Sequence, residues 1–107
     1  MRLYRPVAMK ELDLICASGW KAFPPRLPEQ PIFYPVTNYG YARQIATKWN
    51  ATHDVIAYDI DGGYISGFDV HTVGLSVHQE YWIPAEELDV FNAHILGMIE
   101  LVSKTES

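Results

Sequence analysis

The chain carries a single cysteine, Cys16, in 107 residues, so it can form no internal disulfide. That fits a reducing compartment and excludes a zinc cluster built on thiolates. Nowhere do 18 apolar residues run together, and the opening MRLYRPVAMKELDL lacks the long apolar stretch of a leader. A cytoplasmic protein with no membrane partner is expected. Basic residues are scarce: eight Lys and Arg stand against thirteen Asp and Glu, for a net charge of −5. Bulk electrostatics therefore oppose non-specific binding to nucleic acid or to an anionic lipid surface. A Walker loop, a GxGxxG turn, a GxSxG elbow and an HExxH helix are all missing. His53, His71, His78 and His94 match no metal-ligand spacing, so no metal is expected.

What is present suits one globular domain spanning residues 1–107. Apolar residues make up 49% of the chain and charged ones 20%, enough to build one core and too short a chain for two. Arg2 to Val7 reads as an opening strand. Met9, Leu12, Ile15 and Cys16 then recur at helical spacing until Gly19, which predicts a first helix over Met9 to Ser18 with Cys16 buried on its apolar side. Pro24, Pro25, Pro28, Pro31 and Pro35 follow. They exclude a helix and leave a stiff loop that either covers the core or holds Arg26 or Gln30 at a fixed place. A short strand is expected over Ile32 to Val36.

TNYGYARQIATKWN predicts a second helix, capped by Thr37 or Asn38, with Ala42, Ile45, Ala46 and Trp49 on one apolar stripe. From His53 the period falls to two, with Ile56, Tyr58 and Ile60 on one face, and Asp61-Gly62-Gly63 reads as a hairpin turn into a further extended piece at Tyr64 to Phe68. Pro84 suits the start of a short acidic helix in PAEELDVF, and HILGMIELV reads as the last strand. The order is β-α-β-α followed by mostly antiparallel strands, an α+β class with its helices concentrated in the first half.

Two acidic patterns need weighing. VIAYDIDGG imitates the aspartate-nucleophile strand of phosphatases, but the chain beyond Asp61 does not read as repeated βαβ units, and a strand running into a turn is the better reading. Asp59 and Asp61 are too few for a calcium loop. The second pattern is SVHQEYWIP. Strand alternation sets Val77, Gln79, Tyr81 and Ile83 on one face and His78, Glu80 and Trp82 on the other. Glu80 then sits between an imidazole and an indole. Such a carboxylate is either the wet face of a sheet or the wall of a concave site, where it holds a hydroxyl while the aromatics pack on a ring.

Taken in order, LYRPV, IFYPV and VHQEYWIP resemble the three motif strands of the ADP-ribosyltransferase-like fold. AFPPRLPEQPIFYPV and HQEYWIPAEEL, with nearly the whole chain, resemble small bacterial proteins catalogued under an ADP-ribosylation/crystallin heading. The resemblance implies NAD as substrate and a protein or water as acceptor of ADP-ribose. It implies that Arg5 contacts the phosphates or ribose, that Tyr34 or Phe33 packs on nicotinamide, and that Glu80 holds the ribose hydroxyl and stabilises an oxocarbenium-like transition state. His78, Trp82 and Arg26 would complete the cofactor site. His78 stands where arginine-specific transferases carry Gln or Glu, and FYPVT replaces their Ser-Thr-Ser run. An altered acceptor and a non-catalytic nucleotide- or protein-binding module on the same fold stay open beside the transferase.

Overall fold

Every second residue of an extended strand faces the same way, and that rule divides this molecule in two. A computed structural model describes residues 1–26, 31–49, 54–72 and 79–103. The chain runs β1 (Arg2–Val7), α1 (Met9–Ala17), β2 (Ile32–Phe33), α2 (Tyr39–Trp49), β3 (Asp54–Ile60), α3 (Gly62–Ile65), β4 (Val70–Thr72), β5 (Gln79–Tyr81), β6 (Ile83–Pro84), a 3-10 turn (Ala85–Glu87), α4 (Leu88–Ala93) and β7 (Ile95–Ser103). This is an α+β domain with antiparallel pairing throughout the described strands.

Among the described residues, the ladder β1-β3-β7 meets the remaining strands at Val36. Val36 pairs with Tyr4 on one side and with Glu80 on the other. Ile32↔Pro84, Phe33↔Ile83 and Val36↔Glu80 keep one register, so the chain from Ile32 to Val36 runs beside the chain from Glu80 to Pro84. β4 then closes the far edge through His71↔Glu80. The join with β1 is short for a local reason. In the Tyr4–Val36 register the next bonding position is Pro6, which has no N–H to give. In the other direction the chain leaves into α2, where the Asn38 side chain accepts from the Tyr41 N–H at 3.0 Å.

On one face lies the main core. Leu3, Val7, Ile56, Tyr58, Ile60, Phe33, Tyr81 and Ile83 from the strands meet Leu12 and Ile15 of α1, Ile65 of α3 and Leu88 and Phe91 of α4. Its centre is aromatic: Phe23 packs 4.9 Å from both Phe33 and Tyr58, and Phe91 lies 5.4 Å from Phe33 at a steep angle. Burying each such ring contributes about 1.5–3 kcal/mol. The opposite face is covered by α2, whose Ala42 and Ala46 let the helix sit close over Val36 and Val55.

Several expectations are corrected. Asp61-Gly62-Gly63 does not turn a hairpin. The Asp61 carboxylate accepts from the Gly63 N–H at 2.9 Å and the Tyr64 N–H at 3.3 Å, and this capping starts α3, so Tyr64 to Phe68 is not extended. The two long helices, α1 and α2, lie in the first half as expected, and the unexpected helix of the second half is the short α3. Cys16 is exposed, because α1 buries only the Leu12–Ile15 edge of its apolar stripe. The expected core role of the Trp49 side chain, and Gln30, His53 and His78, lie outside the described residues.

α1 ends as the glycine predicts. Gly19 has φ +80°, and Trp20 continues the left-handed turn at φ 63°. Trp20 packs against the core, and its carbonyl accepts from the Ile99 N–H at 2.6 Å, tying the turn to edge strand β7. A β-carbon at Gly19 meets no atom within 4 Å, so only the backbone resists substitution there. Gly19→Ala should cost about 1 kcal/mol and lower the melting temperature by roughly 4–6 °C. Gly62→Ala, with open space and no left-handed φ, should stay within about 0.5 kcal/mol of the parent. Thermal denaturation followed by circular dichroism measures both.

Candidate functional site

Register brings one row of side chains across the sheet on the α2 face: Ala57, Tyr4, Val36, Glu80 and His71. Tyr34 and Trp82, opposite each other in the same ladder, form the next pair on that face. Glu80 stands at the junction, half-buried. Its Oε1 accepts from the Tyr41 hydroxyl at 3.2 Å, and its Oε2 accepts from the Trp82 indole N–H at 3.0 Å. A carboxylate has about four lone-pair positions. Two donors therefore orient this one and leave it able to accept from a further hydroxyl.

Trp82 is fixed from several sides. Beyond its bond to Glu80, the His71 imidazole stacks on the indole with centroids 3.8 Å apart and planes 18° from parallel. Tyr34 meets it edge-on, at 6.0 Å and 89°. Even so, Trp82 is 43% exposed and Tyr34 39%. A large apolar ring that is held in place and open to solvent is a ready surface for a planar ligand. Burial and then the nearby Glu80 charge raise the Tyr41 hydroxyl above its ordinary value, so it stays protonated and keeps donating at neutral pH.

Arg5 belongs to the other face. It is next to Tyr4 on β1, so alternation turns it away from Glu80 into the main core. There it is 8% exposed, and its guanidinium grips Glu11 of α1 in a fork, Nε to Oε2 at 2.7 Å and Nη2 to Oε1 at 3.0 Å. The same guanidinium lies 4.6 Å over the Phe33 ring. Arg26 lies 5.7 Å from that ring, and its Nη2 donates to the Ile32 carbonyl at 3.2 Å. Burial first, then the charge of Arg5, lowers the Arg26 pKa. Its Nε and the hydroxyl of fully buried Tyr58 have no hydrogen-bond partner among the described residues.

The expected residues therefore divide. Glu80, Trp82 and Tyr34 come together. Arg5, Phe33 and Arg26 come together on the opposite side of the sheet. The expectation that Arg5, Tyr34 and Glu80 meet around one hollow is not met. Tyr41 and His71 join the Glu80 group without having been singled out. Tyr41 carried a usable signal, lying one residue before Ala42 on the stripe of α2, whereas His71 carried none until β4 had found β5. No group of three or more His, Cys, Asp or Glu side chains able to hold a metal occurs among the described residues, nor any helix long and apolar enough to cross a membrane. No family model, curated protein or solved structure matches the chain.

The Arg5–Glu11 fork is mostly buried, with side-chain exposures of 10% and 20%. Removing one partner strands the other charge away from water. Glu11→Gln should destabilise the fold by about 2–4 kcal/mol in urea denaturation. Replacing both partners, in Arg5→Met with Glu11→Leu, should recover much of that loss.

Proposed function

We propose that this chain is a nucleotide-binding module of ADP-ribosyltransferase-like layout, taking NAD or a related nucleotide on the Glu80 face. In this reading Trp82 and Tyr34 pack on the ring of the ligand, and Glu80 accepts a ribose hydroxyl. The observation that carries it is the doubly held carboxylate of Glu80 beside an exposed, oriented indole. Stacking on an aromatic platform is worth about 1–3 kcal/mol per base, and a preset acceptor selects for the sugar.

Binding without turnover is preferred over transfer because of Arg5. The resemblance assigns that residue to the phosphates or ribose of NAD, but here its charge is met by Glu11 on the far side of the sheet. Transfer keeps one argument in its favour. The three motif strands, distant in sequence, are neighbours through Tyr4, Val36 and Glu80. A carboxylate beside the anomeric carbon would stabilise the positive charge that develops as nicotinamide leaves. A protein acceptor belongs to that second reading.

Calorimetry with NAD and with ADP-ribose, alongside a nicotinamide-release assay, separates the two. Binding without release is the expected result. Trp82→Ala should weaken binding by about tenfold or more, and Glu80→Gln by a smaller factor while the fold stays intact. Release that disappears in Glu80→Gln would establish the transferase instead. Saturating nucleotide with neither heat nor thermal shift would end both readings.

A further inference from the structure

The feature on the Glu80 face that this function does not use is His71. Its imidazole lies flat on one side of Trp82, at 3.8 Å and 18°, while Trp82 as a residue stays 43% exposed. A ring arriving on the open side would share the indole with His71 behind it. Indole carries its electron density on both faces and attracts a cation on either. Two cations on opposite sides compete for that density and repel each other through it, whereas a neutral ring meets no such penalty. Imidazole is the side chain that gains its charge between pH 8 and pH 5.

We infer that His71 is a specificity-determining residue of this site: uncharged, it lets Trp82 accept a cationic or a neutral ring alike, and protonated, it turns the site against a cationic ring such as an oxidised pyridinium. The inference rests on the proposed nucleotide site. The groups around His71 are consistent with it. Glu80 lies directly across the β4–β5 ladder, and its oxygens are engaged by Tyr41 of α2 and by Trp82 itself. Tyr34, just after β2, stands perpendicular to the indole with centroids 6.0 Å apart. Tyr41 stays protonated through the range, because burial and Glu80 raise its pKa. Glu80, directly across the ladder, is the carboxylate whose contribution the variants below distinguish from that of His71.

Two probes of similar size suit the test: nicotinamide riboside, with a cationic ring, and inosine, with a neutral one. Their affinities are measured by calorimetry at pH 8.0 and pH 5.5 for the parent, His71→Phe and His71→Gln. The expected result is that the riboside binds about threefold to tenfold more weakly at pH 5.5 while inosine changes little. His71→Phe, which keeps a stacked ring without a charge, should remove that difference. A ligand-free readout accompanies it. Tryptophan fluorescence should change between pH 8.0 and pH 5.5 by a component missing from both His71→Phe and Trp82→Phe.

Equal pH dependence for the two probes, or a riboside difference that persists in His71→Phe and so belongs to Glu80, would overturn the inference and leave the site standing. Absence of the shared fluorescence component would also overturn it. No binding of either probe at pH 8.0 would remove the proposed site and the inference together.

Discussion

The architecture turns on Val36, where two single bridges hold the sheet together. Its N–H donates to the Tyr4 carbonyl at 2.9 Å, and its carbonyl accepts from the Tyr4 N–H at 2.8 Å. Beside it, Tyr81 donates to Pro35 and Thr37 to Gln79, at 2.8 and 3.0 Å. These few bonds align β1, β2 and β5, and through them set which side chains share a face. A slip of one residue anywhere along this join would reverse that sorting. Glu80 would turn into the main core and Tyr81 out of it.

The same alternation explains why Arg5 and Glu80 have the partners they have. Arg5 falls on the side where α1 packs, and α1 offers Glu11 in its first turn, so a buried cation gains a carboxylate and the face of Phe33. Glu80 falls on the side of α2 and meets donors that carry no charge. The first arrangement neutralises its charge in a mostly buried place. The second leaves a negative charge oriented and within reach of water. That difference makes the Glu80 face the better candidate for recognition.

Much of this was legible in the residues. The opening strand and both early helices follow from spacing, and the Glu80/Trp82 face follows from a period of two. The last strand is as HILGMIELV reads. Failures cluster where two local devices share one composition. Asp-Gly-Gly serves a hairpin or the start of a helix equally well, and the choice fell to the Asp61 cap and the room for Ile65 in the core. Cys16 sits where a helical stripe predicts burial, yet only Leu12 and Ile15 meet the sheet squarely enough to lose their water.

Taken alone, the amino-acid order determined the opening strand, the two early helices, the last strand and which neighbours along one strand look the same way, because those follow from the periodicity of adjacent peptide units. It also put Glu80 beside Trp82. Only the tertiary structure decided that Tyr34 and His71 stand with Glu80 while Arg5 stands against Glu11. The physical reason is that pairing between strands far apart in sequence is settled by register, by Pro6 withholding its donor, and by the helix that covers each face. Register and the covering of each face are set between segments, not within a single stretch of chain.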